Sequence, residues 1–154
     1  MRARELATDY PTVSLDSDAL DAARLLAAQK LPGVLVVDAD GAPYAVLPAS
    51  RLVKLLVPAY VVDDPALAAV IDEHHADRLC QALAGRSVAD ALPPEPHDRT
   101  KAPVADADDT ALEVAALMAR ERSPLVAVVD SRDGDRLLGA ITASRLLDRL
   151  LEVA

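Results

Sequence analysis

The chain alternates short apolar runs with stretches in which apolar residues recur every three or four positions. Residues 123–130, Ser-Pro-Leu-Val-Ala-Val-Val-Asp, are too few for a helix and rich in Val, and an Asp/Gly turn at 131–136 leads into a second run, Leu-Leu-Gly-Ala-Ile-Thr. This predicts a β-hairpin with strands over 126–129 and 138–141. The pattern also occurs earlier, with strands over 34–37 and 44–47 around Ala39, Asp40, Gly41 and Ala42. The first strand of each hairpin does not alternate with polar residues, which predicts burial on both faces in the middle of a sheet. Ahead of each hairpin, Leu20, Ala23 and Ala27, and again Leu112, Ala115 and Ala119, recur at helical spacing. Asp16, Ser17 and Asp18, or Asp108, Asp109 and Thr110, offer helix-start residues, and Thr110 with Glu113 has capping-box spacing. Pro32 and Pro124 stop these helices. After each hairpin a second helix carries Leu52, Leu55 and Leu56, or Leu146, Leu147 and Leu150, on the side expected to be buried.

The two halves are copies. Shifted by 92 positions, residues 11–38 lie over 103–130 with 12 of 28 residues identical; two extra residues in the second turn raise the offset to 94 beyond it. A tandem repeat of this kind outweighs any local motif. Each unit reads β-α-β-β-α, and its three-stranded sheet would have an apolar face left over, so neither copy is expected to stand alone. The chain therefore divides into a first repeat over 1–57, an inter-repeat segment over 58–86 and a second repeat over 87–154. In the middle segment Asp64 as N-cap, Pro65 and Gly85 delimit a helix over about 65–84, with Leu67, Ile71, Leu79 and Leu83 as its apolar stripe. Residues 3–7 and 87–92 read as equivalent lead-ins to the repeats, and Pro93, Pro94 and Pro96 as a stiff connection.

Composition narrows the function. Hydrophobic residues make up 52% of 154, with no Phe, no Trp and three Tyr, so the core must be built from Leu, Val, Ile and Ala. A net charge of −9 opposes binding to nucleic-acid backbones and anionic membrane surfaces. No apolar run reaches the length of a membrane span and no secretory leader opens the chain, which predicts a cytoplasmic protein without membrane insertion. Cys80 is the one cysteine and reads as a small buried hydrophobe.

Chemistry-bearing residues are few. His74 and His75 adjoin Glu73, Asp77 and Cys80, but adjacent histidines diverge by about 100° on a helix, so they read as helix surface or an oligomer contact and no metal site is expected. Asp63 with Asp64, and Asp106 with Asp108 and Asp109, sit where helix starts use carboxylates as caps. Hydrolase, kinase and dinucleotide signatures are absent, and no catalytic residue stands out. What remains is the hairpin-to-helix junction. Thr142, Ser144 and Arg145 place two hydroxyls and a cation in a first helical turn, where free N–H groups suit an anion; Ser50 and Arg51 repeat the arrangement after Pro48. The alternative is that each Arg pairs with a nearby carboxylate on an acidic surface.

These residues carry a family resemblance. Two β-α-β-β-α copies, each with a Val-Val-Asp strand, and the Gly139-Ala140-Ile141-Thr142 strand end of the second copy, resemble a tandem pair of CBS (cystathionine β-synthase) domains, a Bateman module. The resemblance implies an α/β (α+β) fold in which two repeats pack sheet to sheet with pseudo-twofold symmetry, here with the extra inter-repeat helix. It implies a non-enzymatic regulatory module, often a homodimer, that holds adenine nucleotides or adenosyl ligands (AMP, ADP, ATP or S-adenosylmethionine) as regulatory ligands rather than as a resident cofactor. In ligand-binding members the strand end reads Gly-h-h-Thr-x-x-Asp, h being hydrophobic, and the Asp holds the ribose hydroxyls. Here Arg145 and Arg51 occupy the Asp place, and a guanidinium cannot accept those hydroxyl protons, so a phosphate-bearing anion suits them better. Cleft walls are expected from Leu31 to Gly33, Ser123 to Leu125, Val13 and Val104. The leading expectation is a sensor of a small ligand acting on a regulated enzyme or transporter; the alternative is a ligand-free dimerisation or docking module.

Overall fold

Each Val-rich run forms the middle strand of a three-stranded sheet. The computed structural model describes residues 1–57, 59–70, 78, 81–94 and 101–153. In the first repeat β1 (Thr12–Ser14) runs parallel to β2 (Gly33–Val37), which pairs antiparallel with β3 (Pro43–Pro48); in the second, β4 (Val104–Asp106), β5 (Leu125–Asp130) and β6 (Arg136–Thr142) are connected identically. α2 (Ala19–Gln29) and α3 (Ala49–Leu56) cover one side of the first sheet, and α6 (Ala111–Glu121) and α7 (Ala143–Val153) one side of the second. Caps follow the sequence. The Asp18 carboxylate accepts the N–H groups of Leu20 and Asp21, and Thr110 and Glu113 form the capping box. Both helices that precede a hairpin end on a left-handed non-glycine residue, Lys30 (φ 53°) and Arg122 (φ 51°).

The strands are buried on both faces, as their lack of alternation predicts. Val34, Val36 and Leu47 face the helices of the first repeat, and Val126, Val128 and Ile141 those of the second. Leu35, Val46, Leu125, Ala127 and Ala140 turn the other way and form a cluster shared by the two sheets, joined by Tyr10. Sheet-to-sheet packing thus covers the apolar side that one repeat alone would expose.

The lead-ins are exchanged. α1 (Ala3–Leu6) buries Ala3 and Leu6 among Val114, Val126 and Ile141 of the second repeat, whereas α5 (Val88–Ala91) buries Val88 and Ala91 among Ala19, Val34 and Leu52 of the first. Matching bonds hold them: Ala3 N–H donates to the Asp109 carbonyl (2.8 Å) and Arg4 N–H to Ala107 (3.0 Å), while Val88 N–H donates to Ser17 (2.8 Å) and Ala89 N–H to Leu15 (3.0 Å). Each packing unit therefore draws its first helix from the other repeat.

Two expectations change. At the ends of the expected 65–84 helix the chain forms 3₁₀ turns, Pro65–Val70 and Gln81–Leu83, preceded by a short α4 (Ala59–Asp63); Ile71, Leu79, Cys80, His74 and His75 lie outside the described residues. On α7, Leu146 is buried but Leu147 and Leu150 are exposed, because nothing in the described chain covers the outer face of that helix.

Candidate functional site

The expected junction residues divide between two clefts, one where the repeats meet and one where α3 meets the segment that follows α5. In the first, of about 380 Å³, Thr142, Ala143 and Ser144 of the second repeat face Lys30, Leu31 and Pro32 of the first across Pro124. In the second, of about 600 Å³, Ser50, Arg51 and Lys54 of α3 face Pro93 and Pro94, which follow α5.

In the first cleft the geometry follows from the strand-to-helix turn. Thr142 ends β6 opposite Leu125, and its hydroxyl oxygen accepts the Arg145 N–H at 3.2 Å, which makes it the N-cap of α7. The Thr142 hydroxyl also shares a hydrogen bond with the exposed Ser144 Oγ at 3.3 Å, in which either can donate. Lys30, in its left-handed conformation, supplies the cationic side chain. The equivalent turn in the first repeat begins at Pro48, which offers no side-chain cap.

The second cleft is the more cationic. Arg51 Nε donates to the Ala91 carbonyl at 3.1 Å, at the end of α5. That bond orients the guanidinium and leaves its two terminal nitrogens without a bond among the described residues. Lys54 follows one turn later on the same side of α3, and among the described residues no acidic side chain lines the cleft. On a chain of net charge −9, two cations with no lining carboxylate among the described residues make a local positive site. Neither Arg51 nor Arg145 forms an ion pair among the described residues; the partner of Arg51 is a backbone carbonyl.

Other expected wall and site residues sit elsewhere. Arg145 does not line the Thr142 cleft; its Nε is buried with no hydrogen-bond partner among the described residues, as is Nε of Arg149 one turn on. Val13 is turned away, since it packs against the helix-side core of the first repeat. Leu125 is fully buried between the sheets and Ser123 is buried with its hydroxyl donated to the Leu125 carbonyl at 2.7 Å, so neither borders open space. Gly33 is covered as well: its carbonyl accepts the Tyr10 hydroxyl at 2.6 Å. Val104 is exposed on an edge strand. Of the expected wall residues, Leu31, Pro32 and Pro124 border the Thr142 cleft.

Sequence reasoning missed Tyr10, Lys30 and Lys54. Tyr10 occupies the place of Ala102 in the second repeat and fills the space between the sheets on one side of the pseudo-twofold axis only. Burial pushes its hydroxyl up to about 12, partly opposed by the bond to Gly33. Lys54 had a readable signal, being three residues after Arg51 on one helix face. Lys30 and Tyr10 had none, because their roles depend on how the repeats meet. Among the described residues no group of three His, Cys, Asp or Glu side chains converges, and no helix is long and apolar enough to cross a membrane.

Comparison with known proteins matches this architecture. The family model for the CBS domain matches residues 3–58 and 98–152. A CBS domain-containing protein of unknown function from Kribbella flavida is 52% identical, with 98% of this chain and 99% of that one covered and a TM-score of 0.85. CBSX2 from Arabidopsis thaliana is 18% identical (99% and 95% covered, TM-score 0.71), and a structure of CBSX2 in complex with AMP is 20% identical (99% and 97%, TM-score 0.66). No curated protein sequence matches the chain.

Proposed function

Because this chain belongs to the CBS-domain family and carries two such domains in tandem, we propose that it is a non-enzymatic regulatory module that senses a small phosphate-bearing ligand in the cytoplasm. The ligand class is an adenine nucleotide or a related anion, and the Arg51 cleft is its main site. The observation that carries this reading is the pairing of Arg51 and Lys54 in a cleft that no carboxylate of the described residues lines. Charge-assisted bonds from a guanidinium to phosphate oxygens are strong and directional, and the Ala91 carbonyl already fixes the guanidinium. The Thr142 cleft, with a hydroxyl donor, Ser144 and Lys30, is the second site. That a solved relative of the same fold holds AMP supports the class of ligand.

The ligand acts by differential contact. The Thr142 cleft is walled by both repeats and the Arg51 cleft by α3 and the chain leaving the exchanged α5, so an anion bound there biases how the exchanged segments and the repeats pack, and the regulated enzyme or transporter reads that packing. Calorimetry with AMP, ADP, ATP and S-adenosylmethionine tests the reading. At least one ligand should bind, and Arg51→Ala should weaken it about tenfold or more. No heat at millimolar concentration, with Arg51→Ala indistinguishable from the parent, contradicts it.

A second reading, homodimerisation or docking, is favoured by a separate feature. A groove of about 400 Å³ on the outer face of the first repeat is lined by apolar side chains of α2 and α3, with Arg24 the one charged residue among the described lining residues. We take the chain to pair with itself through its outer helical faces.

A further inference from the structure

We propose that the Arg51 cleft reads a phosphate chain and not the nucleoside attached to it, so that its ligand class is a polyphosphate, inorganic or carried on any base. This rests on the reading of the Arg51 cleft as the anion site, and names what that site selects.

The lining chemistry sets what can be recognised. Ribose hydroxyls and the amino group of adenine are held by acceptors, and a purine ring is held by stacking on an aromatic face. Among the described residues the cleft is lined by Ser50, Arg51, Lys54, Pro93 and Pro94. Guanidinium and ammonium groups only donate, and the Ala91 carbonyl is already engaged by Arg51 Nε at 3.1 Å. The Ser50 hydroxyl is the one side-chain acceptor among these lining residues, and none of them is aromatic. Such a set holds phosphate oxygens well and a nucleoside poorly.

Spacing favours a chain over a single phosphate. Arg51 and Lys54 stand three residues apart on α3, about 5–6 Å between Cβ atoms. The oriented fork of Arg51 and the point charge of the exposed Lys54 can each meet a different phosphate of one chain. A monophosphate offers one centre and less charge.

The second repeat is the counter-case. The positions equivalent to Ser50, Arg51 and Lys54 are Ser144, Arg145 and Asp148, and those equivalent to Pro93 and Pro94, counted from the lead-in helices, are Thr8 and Asp9. Two cations without a carboxylate in one copy become one cation with two carboxylates in the other. Arg145 Nε is also buried without a hydrogen-bond partner among the described residues, where Arg51 Nε has the Ala91 carbonyl. A polyanion is attracted to the first arrangement and repelled by the second. The Thr142 cleft has Lys30 as its one cation among the described lining residues, which leaves a single tight polyphosphate site per chain.

Calorimetry on the full chain in magnesium-free, low-salt buffer tests the selection with tripolyphosphate, ATP, GTP, AMP and adenosine. Tripolyphosphate, ATP and GTP should bind one tight site per chain with affinities within about threefold of one another, AMP should bind at least about tenfold more weakly, and adenosine should give no heat. Lys54→Glu should weaken tripolyphosphate by about tenfold or more, whereas Arg120→Ala, which removes an exposed cation on α6, should leave it unchanged. AMP as tight as ATP, ATP at least about tenfold tighter than tripolyphosphate and GTP, or heat from adenosine overturns the selection; if Arg51→Ala still weakens ATP, the anion site stands without it. Tripolyphosphate binding that Lys54→Glu leaves unchanged, or that Arg120→Ala weakens equally, overturns the placement in this cleft. No heat from any of the five at millimolar concentration overturns the anion site itself.

Discussion

Gly139 is the position where one added methyl group should do the most damage. It lies at the bulge of β6, where Val128 pairs with Gly139 and Val129 with Leu137, and its φ is 153°. The segment between α1 and β1 crosses directly over it: Thr8 N–H donates to the Ala140 carbonyl (3.0 Å) and Ala140 N–H donates back to the Thr8 carbonyl (3.1 Å). A Cβ at residue 139 would fall 2.2 Å from the Thr8 carbonyl oxygen and 3.0 Å from its carbon, both backbone atoms that cannot swing aside. Gly139→Ala must therefore lift the Thr8 segment, losing two backbone hydrogen bonds at about 0.5–1.5 kcal/mol each, and hold an unfavourable φ at about 1–3 kcal/mol. The expected loss is roughly 2–6 kcal/mol, and about 3 kcal/mol would lower the melting temperature of a chain this size by about 6–12 °C. Chemical and thermal denaturation measure it directly. Ala45→Gly is the control. Ala45 holds the equivalent place in the first repeat with an ordinary φ, so its replacement should cost only about 1 kcal/mol. If Gly139→Ala is no more destabilising than Ala45→Gly, the close crossing is not a constraint and the reasoning fails.

Other perturbations follow from the same contacts. Leu6→Ala should cost about 2–5 kcal/mol although residue 6 precedes the first strand, because that side chain is fully buried in the core of the second repeat; a loss under about 1 kcal/mol in urea denaturation would mean α1 is not docked there. Tyr10→Phe leaves the Gly33 carbonyl unpaired and should cost about 1–3 kcal/mol near neutral pH. The Tyr10 hydroxyl titrates near 10 when unfolded and about 12 when folded, so its contribution is complete below pH 10 and is lost as pH rises to about 12; stability of the parent should fall across that window more steeply than that of Tyr10→Phe. Asp106 is held below its usual range by the Ser131 hydroxyl and by the Asp108 N–H, so its contribution is complete above pH 3.8 and is lost as pH falls below it. Asp106→Asn should therefore lose less stability than the parent on acidification, and parallel acid titrations of the two proteins would contradict this.

Much of the fold was legible because it is written in short-range pattern. Continuous Val at 126–129 signals a strand with two covered faces, Thr110 with Glu113 signals a helix start, and the match of 11–38 to 103–130 signals two copies of one unit. The exchange of lead-ins was not legible. Ala-Arg-Glu-Leu and Val-Ala-Asp-Ala are single helical turns, and a single turn carries no information about which core will bury it. The junction residues were picked out by their recurrence, but their surroundings required the assembled pair. Arg51 meets a carbonyl of the exchanged helix, whereas Arg145 has no corresponding bond, and an identical residue in each copy thus ends in different company. Val13 illustrates a finer failure: strand parity decides which face it takes, and it takes the helix side.

The central claim is that an anionic ligand enters the cleft at the Arg51 junction. An NMR titration of the isotope-labelled chain with AMP and ATP, following backbone amides, tests it most directly. The account predicts saturable shifts concentrated at residues 50–54, 91 and 92, with smaller ones at 142–144, and loss of the first group in Arg51→Ala. Saturable binding with shifts confined to the α2–α3 groove, or no shifts at millimolar nucleotide, contradicts it.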